Sequence, residues 1–288
     1  MNVSSSTTSF DEAFISELTR LYHESRENEI RLIRDLDLAR EVQQQLLPGR
    51  FCKIPGFDLA AACVPAGELG GDFYDFLPYE SGRLSMALGD VSGKGTAAAL
   101  LGALTVGILR AHNAGDAWQP VEMLALLNDR IHDVLLNGTF VAMLLAMLDS
   151  KTRRLTIANA GNPYPVILRN GRTQQIRVAG IPLGLMSGTR YEGVSLDVHL
   201  GDTIVLASDG IFESLGKQDA VGAEVLAATL NSLPSDASAE EITSTILYLS
   251  DASSRNGTPP HDDRALVVIR ATESPISFPC FSGPGFCS

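Results

Sequence analysis

From Phe57 to Arg270 the chain lays down eight short apolar or alternating runs, each broken off by Gly, Pro or Asp. Residues 57–64, 72–79, 83–90, 140–148, 154–160, 164–168, 203–208 and 264–270 read as strands, because their apolar positions alternate or run on for strand-like lengths. Helical periodicity is confined to 96–111, 121–136, roughly 220–230 and 239–249. A doubly wound parallel sheet would alternate strand and helix. Many strands in succession with few helices between them favour an antiparallel sandwich flanked by helices.

Four of the apolar segments share a second property, an aspartate beside a turn at the strand end: "GGDFYD" (70–75), "LGDVSGKG" (88–95), "ASDGIFE" (207–213) and "HDDRAL" (261–266). A single such aspartate is ordinary, since Asp caps turns and helices by accepting backbone N–H groups. Four together are different. Carboxylates gathered in a low dielectric repel one another and take up protons unless cations neutralise them. Oxygen ligands without His or Cys partners select Mg²⁺ or Mn²⁺ over zinc, and a pair of such ions can activate a water toward a phosphoryl group.

The rival reading of "LGDVSGKGTAAALL" as a phosphate-binding glycine loop fails on spacing. A Walker A loop needs Gly five positions before its Gly-Lys pair and Ser or Thr after it. Here Gly89 lies four positions before Gly93, and Gly95 follows Lys94.

Other classes are excluded on charge and hydropathy. A net charge of -12 argues against nucleic acid or an anionic membrane as partner. The opening "MNVSSSTTSF" has neither the basic nor the apolar region of a secretory signal, and the longest apolar run, Phe140 to Leu148, is too short to span a bilayer. A cytoplasmic location is the expectation. Cys52, Cys63, Cys280 and Cys287 show no CxxC pairing and read as reduced, unligated thiols.

Ahead of the strands, positions 14, 18, 21, 25, 28, 32, 35, 39, 42 and 46 follow a heptad seam that is apolar except at Ser25, Asn28 and Asp35. Two arrangements fit it, a long helix paired with a second copy of itself or a single amphipathic helix lying on its own domain. Pro48 and Gly49 stop the helix. The expected organisation is a disordered N-terminus (1–10), a regulatory or dimerisation helix (11–49), a catalytic domain (50–271) and a flexible Pro/Gly/Ser-rich tail (272–288).

The four aspartate segments, in this order and separation, resemble the metal-dependent Ser/Thr protein phosphatases of the PPM (type 2C) family, most closely its bacterial SpoIIE/RsbU-like branch. The likeness runs from about Leu38 to Arg270 and takes in "LAREVQQQLLP", "FVAMLLAMLD", "NAGNPYPVIL", "GIPLGLM" and "GDTIVLASDGIFES". It implies an α+β fold, a four-layer α-β-β-α sandwich of two antiparallel sheets flanked by helices, with an N-terminal helical extension. It implies two ions, Mn²⁺ or Mg²⁺, with Asp90 bridging them and the Val91 carbonyl reaching one. Asp209 and Asp262 would hold the other ion, Asp72 would serve the second site directly or through water, and Asp263 would orient ligands or solvent.

The activity so implied is hydrolysis of phosphoserine or phosphothreonine by direct attack of a metal-bridging hydroxide, without a phosphoenzyme. Eukaryotic relatives place a histidine where this chain has Ser92. Lys94 reads either as a solvated loop side chain or as an attractor of the substrate phosphate, and His261 as a turn residue. Gly70 and Gly71 would let the backbone pass close to the ions. By family analogy the substrate is a phosphorylated regulatory protein, such as a STAS-type anti-sigma-factor antagonist, and the helix ending at Pro48 carries the regulatory input. Residues 1–10 are too few and too polar for a sensor, so regulation is expected through a homodimer formed by that helix or through a separate partner. A noncatalytic module that keeps the fold and sequesters a regulatory partner is the alternative.

Overall fold

The computed structural model describes residues 4–48, 54–79, 81–112, 118–135, 138–216, 219–254 and 261–273. Its elements run α1 (Ser4–Leu46), β1 (Phe57–Val64), β2 (Phe73–Pro78), β3 (Arg83–Val91), α2 (Thr96–His112), α3 (Pro120–His132), β4 (Val141–Asp149), β5 (Arg154–Ala160), β6 (Val166–Arg169), β7 (Arg172–Gln175), β8 (Gly193–Asp197), β9 (Thr203–Ala207), α4 (Asp209–Gly216), α5 (Asp219–Ser232), α6 (Ala239–Ser254) and β10 (Arg264–Ala271). One sheet has the order β1-β10-β9-β6-β7 and the other β2-β3-β4-β5-β8. Every pairing between these strands is antiparallel.

Three apolar clusters separate four layers. Tyr74, Leu84, Met86, Leu88, Leu206 and Val267 pack between the sheets. Phe73, Val91, Val106, Leu127 and Met143 fill the space between the second sheet and α2 and α3. Val205, Phe212, Leu226, Ile246 and Val268 do the same for the first sheet against α4, α5 and α6. The expected four-layer α-β-β-α sandwich is the fold found.

The pleat of the strands explains where the acidic residues go, because alternate side chains of a strand face opposite ways. In β3, Leu84, Met86 and Leu88 enter the inter-sheet core, while Ala87 and Val91 face α2 and α3. By the same parity Asp90 takes the inter-sheet side at the strand's end. Even-numbered Tyr74 and Phe76 of β2 also face the other sheet, which sets Asp72 on that side, and odd-numbered Ala265, Val267 and Ile269 of β10 set Asp263 there. Asp75 has the opposite parity and is buried toward α2, where the Arg110 guanidinium grips it with Nε at 2.7 Å and Nη2 at 2.9 Å.

Differences from the sequence expectation are local. Strand pairs β6–β7 and β5–β8 recruit β7 and β8, which the periodicity missed because β7 has no apolar residue and β8 offers only the half-buried Val194 and Leu196. The segment "DGIFESLG" is a helix, α4, where only a strand end was expected. The first helix begins at Ser4 rather than at residue 11, as no Gly or Pro interrupts the chain from there to Leu46. Gly49 and nearly all of the 272–288 tail lie outside the described residues. No helix among those described is long and apolar enough to cross a membrane.

Candidate metal centre

The ends of β1, β3 and β9 and the starts of β2 and β10 meet at one end of the sandwich, and all five acidic residues singled out in the sequence arrive there. Asp72 is buried and its Oδ2 accepts the Ser208 hydroxyl at 2.7 Å. Ser208 is itself fixed, since its Oγ accepts Ala265 N–H at 2.9 Å and its N–H donates to the Ala265 carbonyl at 2.9 Å. Asp90 is the penultimate residue of β3, Asp209 opens α4, and Asp262 and Asp263 lead into β10.

Electrostatics show how close these groups lie. Burial, and then the charge of Asp209, push the Asp90 carboxyl up to about 7, with Asp262 and Asp263 adding to the effect and a hydrogen bond with Asp72 opposing it. Asp72 is held well above the usual carboxylate range by burial first and by the charge of Asp90 next. Among the described residues, no three metal-ligating side chains are already drawn around one cation position.

The donor set is chemically suited to a hard divalent cation. The five converging side chains are carboxylates, with the Cys63 thiol beside Asp72, and carboxylate oxygens are hard donors that suit such an ion. The backbone beside it is shaped for close approach. A Cβ on Gly71 would sit 2.7 Å from the Val91 carbonyl oxygen, and one on Gly70 would sit 2.8 Å from Asp263 Oδ2. These contacts leave no room for a side chain at either glycine.

Two expected residues have more specific tasks than the sequence disclosed. Asp263 uses both carboxylate oxygens on backbone, Oδ1 accepting Ala66 N–H at 2.7 Å and Oδ2 accepting Gly71 N–H at 2.6 Å. It therefore latches the β1–β2 loop to the start of β10. Ser92 accepts Phe140 N–H at 2.8 Å through its hydroxyl, tying the end of β3 to the start of β4. Sequence reasoning missed Ser208 altogether, although its even position just past β9 continues the inter-sheet side of Ile204 and Leu206. Cys63, expected as a reduced and unligated thiol, is a free half-buried cysteine that donates to the Asp72 carbonyl at 3.3 Å and is pushed up by burial. A cavity of about 380 Å³ lined by Asn159, Asn162, Tyr164, Gln175 and Phe212 touches none of the five carboxylates.

The raised carboxyls set a pH dependence for the metal-free protein. A carboxyl whose folded pKa exceeds its ordinary 3.8 contributes stability that is fully present below that value and lost as pH rises through the folded pKa, here about 7. In EDTA the melting temperature is therefore expected to fall between pH 5 and pH 8. With on the order of 2 kcal/mol at stake, the drop is about 4 to 8 °C. Saturating Mn²⁺ should remove it. A melting temperature that stays level or climbs over this range in EDTA would show that the carboxyls are not crowded.

The family model for "Stage II sporulation protein E (SpoIIE)" matches residues 80–272. "Phosphoserine phosphatase RsbU" of Bacillus subtilis (strain 168) is 27% identical over 182 residues, covering 62% of this chain and 53% of its own length. The chain spans about half the length, or less, of the curated relatives it matches. Among solved structures, the RsbU and RsbW domains of Rv1364c from Mycobacterium tuberculosis align with a TM-score of 0.65 at 25% identity, covering 77% of this chain and 61% of that one. The SiaA-PP2C domain of Pseudomonas aeruginosa aligns with a TM-score of 0.71 at 20% identity, covering 84% and 97%, a likeness of fold. Since the family match takes in well over half of its residues, the chain belongs to the SpoIIE family.

Proposed function

We propose that the chain is a metal-dependent phosphoserine/phosphothreonine protein phosphatase. The observation that carries this reading is the convergence of Asp72, Asp90, Asp209, Asp262 and Asp263 from four distant segments, close enough for Asp90 to be pushed up to about 7. Such a cluster is stabilised by divalent cations and penalised without them. Asp90 would bridge two ions, Mn²⁺ or Mg²⁺, with the Val91 carbonyl beside it, Asp209 and Asp262 at one ion and Asp72 toward the other. When bound, the ions supply an activated water and stabilise charge on the transferring phosphoryl group.

The chain's own part is positioning. Ser208 fixes Asp72 by donating its hydroxyl to Oδ2. Asp263 holds the Gly70–Gly71 backbone against the site rather than offering a free carboxylate. The test is hydrolysis of p-nitrophenyl phosphate and of a phosphoprotein with Mn²⁺, with EDTA, and in the Asp90→Ala and Asp209→Ala variants.

The likeness to a phosphoserine phosphatase, and to a structure that joins an RsbU with an RsbW domain, supports a phosphorylated regulatory protein as substrate, with the STAS type the specific proposal. A homodimer through α1 is the companion proposal. Its support is a run of exposed apolar side chains on the helix, Phe14, Leu18, Leu21, Leu32 and Val42, which water penalises. Sedimentation equilibrium is expected to give twice the chain mass over a wide concentration range. A chain mass at every concentration would remove the dimer.

A further inference from the structure

Lys94 stands in the turn between β3 and α2, flanked by Gly93 and Gly95 at φ of +99° and +74°. A Cβ on either glycine would meet nothing within 4 Å, so these glycines serve the shape of the backbone rather than close packing. That shape sends the lysine side chain to a loop far along the sequence. Its ammonium donates to the His261 carbonyl and lies 3.3 Å from Asp262 Oδ1. The same Oδ1 accepts Asp263 N–H at 3.0 Å. The turn that follows Asp90 is thus tied to the loop that carries Asp262 and Asp263.

We propose that Lys94 is a positioning residue that serves as an internal counter-cation for Asp262 and has to leave that carboxylate before a divalent ion binds there. The inference rests on the metal-centre reading above. A lysine ammonium is a compact, strongly hydrated point charge on a flexible stem. A dication on Asp262 would lie within a few ångströms of an ammonium that shares its oxygen, and the two repel. Because the Lys94 side chain is 57% exposed, water is at hand to take up the displaced ammonium. Two consequences follow: without the ion the lysine keeps the two loops together, and its charge lowers the affinity of the site for the ion.

The test uses the full chain, freed of metal by chelation, titrated with Mn²⁺ in a calorimeter as wild type, Lys94→Gln and Lys94→Arg. Lys94→Gln is expected to bind Mn²⁺ about fivefold more tightly, the scale of one half-exposed ion pair. Lys94→Arg, which keeps the charge, should stay near wild type. In EDTA, amide hydrogen exchange at residues 92–95 and 261–263 should speed up in Lys94→Gln and not in Lys94→Arg. Unchanged or weaker Mn²⁺ binding by Lys94→Gln overturns the proposal. A folded wild-type chain that takes up no Mn²⁺ removes the metal-centre reading itself, and unchanged exchange in Lys94→Gln then overturns the loop clamp separately.

Discussion

Asp90→Ala and Asp209→Ala are each expected to lower Mn²⁺-supported hydrolysis of p-nitrophenyl phosphate by about a thousandfold or more, since a divalent centre supplies several kcal/mol of barrier lowering and each tenfold is about 1.4 kcal/mol. A loss of activity alone would not distinguish chemistry from unfolding. Stability does. Asp90 is a carboxyl that its surroundings push up to about 7, so its charge opposes folding at neutral pH when no ion is present. Asp90→Ala should therefore melt no lower than wild type in EDTA at pH 8, and should lose the melting gain that Mn²⁺ gives wild type. Activity that persists in both variants would end the phosphatase reading. A variant that is inactive and also unfolded in EDTA would show that Asp90 is structural.

Gly210→Ala is the second large effect, and it acts through the backbone. Gly210 follows Asp209 in α4, and a Cβ there would overlap the Asp263 carbonyl, which is main chain and cannot rotate away. The helix must move off the start of β10. Overpacking against backbone costs about 3 kcal/mol, a fall of roughly 6 to 12 °C in melting temperature for a domain of this size. The shift also carries Asp209 away from Asp90 and Asp262, and a displacement of about 1 Å can cost on the order of a hundredfold in rate. Thermal melts and initial rates measured on the same preparation check both. Wild-type values for the two would mean that α4 and β10 do not approach so closely.

Much of the fold was legible because period-two burial is written into the strands themselves. Eight strand segments and the sandwich they form could be read from runs such as "RLSMALGD" and "RALVVIR", whose inward residues are large and apolar. Strands β7 and β8 were not legible: "RTQQ" and "GVSLD" bury little, and only pairing with β6 and β5 makes them strands. Helix α4 was hidden for another reason. It is eight residues long and opens with Asp-Gly, which reads locally as a turn, while its stability comes from Ile211, Phe212 and Leu215 packed in the cluster against the first sheet.

The candidate site divides the same way. Which residues could carry charge or ligate a cation, and that they stand at strand ends beside glycines, was fixed by residue type and spacing, because strand parity and turn chemistry are local. Which of them meet was decided by the antiparallel register that brings the ends of β1, β3 and β9 to the starts of β2 and β10. Only the tertiary structure could assign Asp263 to backbone latching, give Asp72 its Ser208 partner and set Lys94 against Asp262, since each of these contacts joins residues more than a hundred positions apart. Sequence periodicity holds no information about such pairs; packing two sheets face to face creates them.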